Sequence, residues 1–247
     1  MKKIFTLIIG AVACMSASAQ YICLEKGTTM DYSMVLYQEK DSTVTTVKAT
    51  IFDVTESNGI STVLTQKVTP LPESMFGEKT DTTTTVYNSA DKSTQFILTT
   101  ADEAKQDVID MVKMQIQASG QSVSVAEMDD FISSVKAKGE LSLTVNPDMA
   151  AGTKLPNKNL RITVGQDVMS YNLWEGKVLG NESVTTPAGT FECLKVSFVN
   201  RINAGGQNQK IDVTEWLAPN IGAVKVEQSM KGKPLMKQEL TKIVNAK

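Results

Sequence analysis

The side chains with most chemical potential are three cysteines, Cys14, Cys23 and Cys193, and a few carboxylates. None has the companion that catalysis needs. The sequence contains no histidine. Neither a Ser-His-Asp nor a Cys-His nucleophile system can form, zinc lacks an imidazole ligand, and no imidazole titrates near neutral pH. No cysteine sits in a Cys-x-x-Cys pair. Asp102-Glu103 suits the first turn of a helix, where acids meet the dipole and cap the chain. Asp129-Asp130 flanks an apolar stripe and reads as solvated. Glu215 beside Trp216 has the character of a buried acid without a visible partner. Glycoside hydrolysis needs two facing carboxylates, which strand spacing does not reveal. There is no D-x-D-x-D-G calcium loop, and Gly176 and Gly205-Gly206 lack a phosphate-loop context. The expectation is a protein that is not an enzyme, with no cofactor and no metal.

Charge excludes another class. Lys and Arg number 25 against 27 Asp and Glu, a formal net charge of −2, without the basic excess of a nucleic-acid binder. The first residues read as an export signal. Lys2 and Lys3 precede a ten-residue apolar run, Ile4–Ala13, and Ala17-Ser18-Ala19 forms the small-x-small pattern before Gln20. Residues 1–19 are thus expected to be a signal peptide cleaved between Ala19 and Gln20. Ten helical residues reach about 15 Å, half of a roughly 30 Å hydrocarbon core. No transmembrane segment is expected in the mature chain. A competing pattern is Ala11-Val12-Ala13-Cys14, a lipobox-like sequence that would anchor the protein through a lipid on Cys14. After cleavage, Cys23 and Cys193 remain in an oxidising compartment. They form either a disulfide or two buried thiols.

The elements around these residues are mostly strands. Met30, Tyr32, Met34 and Leu36 share one parity of Thr28–Tyr37, the period-2 pattern of a strand. Thr45–Thr55 and Ile60–Val68 flank Asn58-Gly59, a strong hairpin signal. Thr82–Tyr87 and Gln95–Thr99 form a second pair around Ser89-Ala90-Asp91-Lys92. The period then becomes helical. Thr100-Ala101-Asp102-Glu103 and Ser124-Val125-Ala126-Glu127 are capping boxes. The first precedes an apolar face of Ala104, Val108, Met111, Val112 and Ile116, closed by Gly120. The second precedes Val125, Met128, Phe131, Ile132 and Val135, closed by Gly139. Strands resume at Leu141 and continue to Val244, divided by Gly, Pro and Asn turns. One domain, 20–247, is expected. It is mainly β (α+β): a strongly curved antiparallel sheet or half-barrel of about ten or eleven strands, with an inserted helical hairpin at about 100–139 packed on one face.

A family resemblance rests on Gly176-Lys177-Val178, on Gly180 through Cys193 with its V-x-T-P-A-G-T-F motif, and on Thr214 through Lys225. Leu24 through Thr28 adds a weaker echo. These segments resemble the TapB-like family of exported β-sheet proteins from Gram-negative bacteria, related to a large domain-of-unknown-function group. The resemblance implies export and a curved half-barrel like those of the lipoprotein carriers LolA and LolB. It implies no activity. The motif itself reads as hairpin mechanics, with Pro187 fixing φ and Gly189 free to take positive φ.

Two functions follow as expectations. The first is a binding or carrier module of the periplasm or cell envelope, with a hydrophobic ligand in an apolar pocket formed by Met111, Val112, Met128, Phe131 and Trp174. The second is a structural or interaction component that meets another envelope protein.

Overall fold

The computed structural model describes residues 20–38, 41–70, 78–120 and 122–246. Five strands come first: β1 (Thr29–Tyr37), β2 (Ser42–Ser57), β3 (Ile60–Pro70), β4 (Glu78–Asn88) and β5 (Ser93–Thr100). Two helices follow, α1 (Ala101–Ser119) and α2 (Val125–Ser134). Seven strands complete the chain: β6 (Val135–Val145), β7 (Lys158–Val164), β8 (Asp167–Thr186), β9 (Gly189–Ala204), β10 (Gln207–Ala218), β11 (Gly222–Met230) and β12 (Lys233–Val244). Every strand pairs antiparallel with its sequence neighbour, and β1 pairs with β12, so the sheet is a closed barrel.

The half-barrel of about ten or eleven strands is therefore corrected to a closed barrel of twelve. The closing ladder joins the two ends of the chain, from Thr29 opposite Val244 to Leu36 opposite Met236. Periodicity within a strand does not reveal so remote a partner. The expected separate strands at 168–178 and 183–186 are one strand, β8. It bends through irregularities at Trp174/Lys177 and Val178/Gly180. There the 150–155 loop satisfies the freed backbone: Gly152 N–H donates to Val178 O and Leu155 N–H to Gly176 O, each at 2.8 Å.

Alternation separates core from solvent. Met30, Tyr32 and Met34 of β1, Val47 and Ala49 of β2, Phe198 and Ile202 of β9, Val224 and Val226 of β11 and Leu240 of β12 point inward and are buried. Outward positions mix charged side chains with exposed apolar ones such as Val44, Phe52 and Leu179. Lys225 stands opposite Glu239 and Glu227 opposite Lys237, and the pairs Lys225–Glu227 and Lys237–Glu239 close at 2.7 and 2.8 Å. Trp216 also lies on this face, between the ammonium groups of Lys195 and Lys225 at 4.9 and 4.3 Å from its ring. No described helix is long and apolar enough to cross a membrane.

The two barrel ends differ. The helical hairpin rises from β5 and returns into β6, and α1 rests chiefly on β6, with β5 and β7 beside it. Both capping boxes form, and Gly120 takes the left-handed C-cap at φ 67°. Only Ala104, Val108 and Ile109 of α1 are buried, and α2 buries no residue fully. The hairpin thus covers one mouth of the barrel instead of lying on one face of an open sheet. It also ends five residues early. Gly139 lies in β6 at φ 95°, where a Cβ would stand 2.2 Å from Asn159 O. The opposite mouth receives residues 20–28. Tyr21 and Ile22 are buried there, and the Tyr21 N–H donates to Thr94 Oγ1 at 3.1 Å.

Two glycine substitutions separate space from backbone strain. Gly139→Ala meets both a positive φ and a neighbouring backbone carbonyl, and is expected to destabilise by about 3 kcal/mol or more. Gly152→Ala, at φ 89° with nothing near its Cβ position, is expected to cost about 1 kcal/mol. Equilibrium denaturant unfolding of both variants measures the difference, and equal losses would contradict the close approach at Gly139.

Candidate functional site

Two places combine burial with polar groups that lack partners. The first is the mouth filled by the N-terminal segment. A pocket of about 460 Å³ opens there between residues 20–25, the start of β1, the β10–β11 turn and the end of β12. Ile22, Leu24, Met30, Ile221 and Ile243 give it apolar walls, and Thr28, Asn220 and Asn245 give it polar points. Backbone pairing fixes its edge: Gly27 N–H donates to Ile51 O at 2.7 Å and Ile51 N–H to Thr28 O at 2.9 Å. Thr28 is 1% exposed, and its Oγ1 finds no hydrogen-bond partner.

The second lies inside the barrel. Polar residues occupy inward positions on several strands: Thr65 and Lys67 on β3, Thr85 on β4, Asn200 on β9, Glu215 on β10, Gln228 on β11 and Gln238 on β12. Register spreads three of them along adjacent strands. Asn200 stands opposite Ile211, Gln228 opposite Val213 and Glu215 opposite Val226. Glu215 Oε1, Asn200 Oδ1 and Gln228 Oε1 accept no hydrogen bond, and neither Thr65 Oγ1 nor Thr85 Oγ1 has a partner. Burial pushes the Glu215 carboxyl up to about 7, and the positive field of Lys67 offsets only part of that rise.

The residues expected to line an apolar pocket lie on α1, α2 and β8. Met111 and Val112 on α1 and Met128 and Phe131 on α2 are half-buried around the hairpin. Trp174 is 39% exposed, with the Arg201 guanidinium carbon 4.3 Å from its ring centre. The 460 Å³ pocket is at the other end of the molecule. Cys23 lines that pocket half-buried, Cys193 is buried, and both are free thiols, so the structure contains the thiol alternative and no disulfide. Burial pushes the Cys193 thiol up to about 12, far from the thiolate state that nucleophilic or redox chemistry requires. Among the described residues, no three acidic or cysteine side chains gather to hold a metal ion. The cleavage position at Ala19 and the lipidation candidate Cys14 lie outside the described residues.

Sequence reasoning singled out Glu215 as a buried acid but missed the other polar residues of the interior, although their signal was present. Asn200, Glu215, Gln228 and Gln238 each replace an apolar residue in an inward series, as in Val224-x-Val226-x-Gln228. The mouth pocket left no such trace, because its walls come from both ends of the chain and one turn.

These features define a class: a closed antiparallel barrel with both ends plugged and polar groups buried within. The description DUF3108-like matches residues 60–240, more than half of the chain, and the protein belongs to that family. No narrower TapB-like assignment is supported by this match. Two solved structures share the fold. A "putative exported protein with YmcC-like fold" from Bacteroides fragilis NCTC 9343 is 16% identical, with a TM-score of 0.59 over 90% of this chain and 98% of that one. A "putative lipoprotein" from Parabacteroides distasonis ATCC 8503 is also 16% identical, with a TM-score of 0.62 over 93% of this chain and all of that one. No curated protein matches the chain.

The interior acid makes stability depend on pH with a definite sign. In the unfolded chain the Glu215 carboxyl titrates near 4.5, and in the fold near 7. The native state therefore holds its proton more tightly. Its contribution is full below pH 4.5 and is lost as pH rises through 7, a change of about 3 kcal/mol. Glu215→Gln is expected to remove that loss, so the variant gains on the wild type between pH 5 and pH 8. Parallel slopes for the two proteins would show that Glu215 is not buried as described.

Proposed function

We propose that this protein is an exported, non-enzymatic binding module of the periplasm or cell envelope, and that it carries a hydrophobic ligand with a polar head at its N-terminal mouth. One observation carries the reading. The 460 Å³ pocket has apolar walls, and its lining includes Thr28, whose buried Oγ1 has no hydrogen-bond partner. Apolar walls supply most of the transfer free energy for such a ligand, and one unsatisfied polar atom orients it. The export signal read at residues 1–19, together with the exported protein and the lipoprotein that share the fold, supports placement outside the cytoplasm. Lipid anchoring through Cys14 remains the alternative form of that placement. Its anchor would lie a few residues from this mouth.

A second reading, an interaction component of the envelope, has its own support. Beyond Val178 the outer edge of β8 pairs with no described strand other than β9, and an open strand edge is a ready template for another chain.

The test is protein purified from its own compartment, analysed by native mass spectrometry and then titrated with a fluorescent fatty-acid probe. A bound apolar species, or 1:1 probe binding, is expected. Ile221→Trp, which fills the pocket, should weaken binding at least tenfold. Thr28→Val should weaken a ligand with a polar head by about 1 kcal/mol. Absence of both copurified ligand and probe binding would leave the interaction reading in its place.

A further inference from the structure

We infer that the outer face of β6 to β10, centred on Trp174, docks the protein on an anionic phospholipid surface. Cross-strand charges single out this face. Elsewhere in the barrel, charged residues that stand directly opposite each other differ in sign. Asp31 faces Lys48 and Lys242, Lys67 faces Asp81, Lys225 faces Glu239 and Glu227 faces Lys237. Three pairs break this pattern, and each is basic on both sides. Lys138 of β6 stands opposite Arg161 of β7, Arg201 of β9 opposite Lys210 of β10, and Lys154 of the 150–155 loop opposite Lys177 of β8. Like charges so placed repel and destabilise a sheet. Lys138, Lys154, Arg161, Lys177 and Lys210 are all exposed. Among the described residues, none of these five makes an ion pair. Glu140 and Glu175 on the same strands are already held, by Lys158 and Arg201.

The spread of the three pairs selects a surface over a single ion. Arg161 is level with Ser170 and Asn203, Arg201 stands one outward position along β9, and Lys177 is level with Ser197. From Asn203 to Ser197 the strand rises about 20 Å, and β6 to β10 span a similar width. One anion meets one pair, whereas an array of phosphates meets all three. The centre of the face is apolar. Trp174 stands opposite Val199, between the levels of Arg201 and Lys177, and is 39% exposed. Val168 and Leu179 of the same strand are exposed as well. Trp prefers the boundary between hydrocarbon and water, and cations around it add attraction to anionic lipid. The long stems of Lys138 and Lys210, one strand further out on either side, let their charges follow a flat surface despite the curvature of the wall. The whole chain has a formal net charge of −2, so anionic lipid attracts this face and not the molecule at large.

The test is co-sedimentation of the full mature protein with vesicles of phosphatidylcholine, with and without a one-third share of phosphatidylglycerol. Binding is expected to the anionic vesicles only, and is expected to vanish at about 0.5 M salt, where the Debye length is a few ångströms. Arg161→Glu combined with Lys177→Glu should weaken it at least tenfold. Each change turns a repulsive pair into an attractive one, so the melting temperature of that variant should not fall. Trp174→Ala should weaken binding severalfold. Lys48→Glu makes the same charge change on β2, across the barrel from β8, and should leave binding within twofold. Ile221→Trp should leave it unchanged, which separates this face from the mouth pocket. Equal sedimentation with neutral vesicles, no sedimentation with anionic ones, or an undiminished response in the Arg161→Glu/Lys177→Glu variant would overturn the assignment. Binding of inorganic polyphosphate without vesicle binding would also overturn it and give the face to a soluble polyanion.

Discussion

The ladder between β1 and β12 joins the two ends of the chain, and most of the molecule depends on it. With this pairing every inward side chain faces another across a closed wall; without it, the first and last strands would present two open edges. The contact is costly to form, because it closes nearly the whole chain into one loop. It is also irregular. Register shifts between Asp31 and Tyr32, and Thr241 Oγ1 donates to Asp31 O at 2.9 Å, supplying the carbonyl with a partner at the bulge. Closure also determines what the ends must be. A barrel this wide has two mouths, and the chain covers them with unlike devices: a helical hairpin at one, the N-terminal segment at the other.

The two covers leave different environments beneath them. Under the N-terminal segment the interior is largely apolar, with Leu194, Leu217, Val224 and Leu240 fully or almost fully buried. Polar residues occur further in and toward the hairpin, from Glu215 through Lys67 to Lys79 and Asp81. The hairpin itself is held by little. A narrow stripe on α1 makes most of its contact, and α2 contributes half-buried side chains only. Elements with few buried apolar contacts open at lower free energy than the core. The polar lining thus runs toward the end that carries the helical hairpin.

Much of this was legible in the sequence, for local reasons. Both capping boxes, the Gly120 cap and the Asn58-Gly59 hairpin depend on residues within a few positions of one another, and the structure contains each of them. What could not be read is non-local. Closure depends on Val244 meeting Thr29. Gly139 resembles a helix C-cap, yet its role comes from the approach of Asn159 in another strand. The continuity of β8 was hidden because its bulges break the alternation at Trp174 and Val178, and the 150–155 loop that repairs them carries no strand signature. The apolar pocket expected near Met111 and Phe131 rested on amphipathic stripes, and such stripes show only that a face is covered. They do not show what lies beneath it.

The interior acceptors sharpen the meaning of the missing histidine. Without an imidazole, the chain has no side chain that ordinarily titrates near neutral pH. Burial gives that property to a carboxyl instead, raising Glu215 to about 7. The two solutions differ in sign. A histidine gains charge as pH falls, whereas a buried glutamic acid loses it. An anionic Glu215 in a wall of Val, Leu and Phe favours whatever brings compensating N–H donors, and a neutral one does not. Ionisation of Glu215 and the approach of the Lys67 ammonium are therefore linked, each promoting the other by the same free energy. A closed barrel enforces that linkage, because its wall keeps bulk water from solvating the carboxylate in the cation's place.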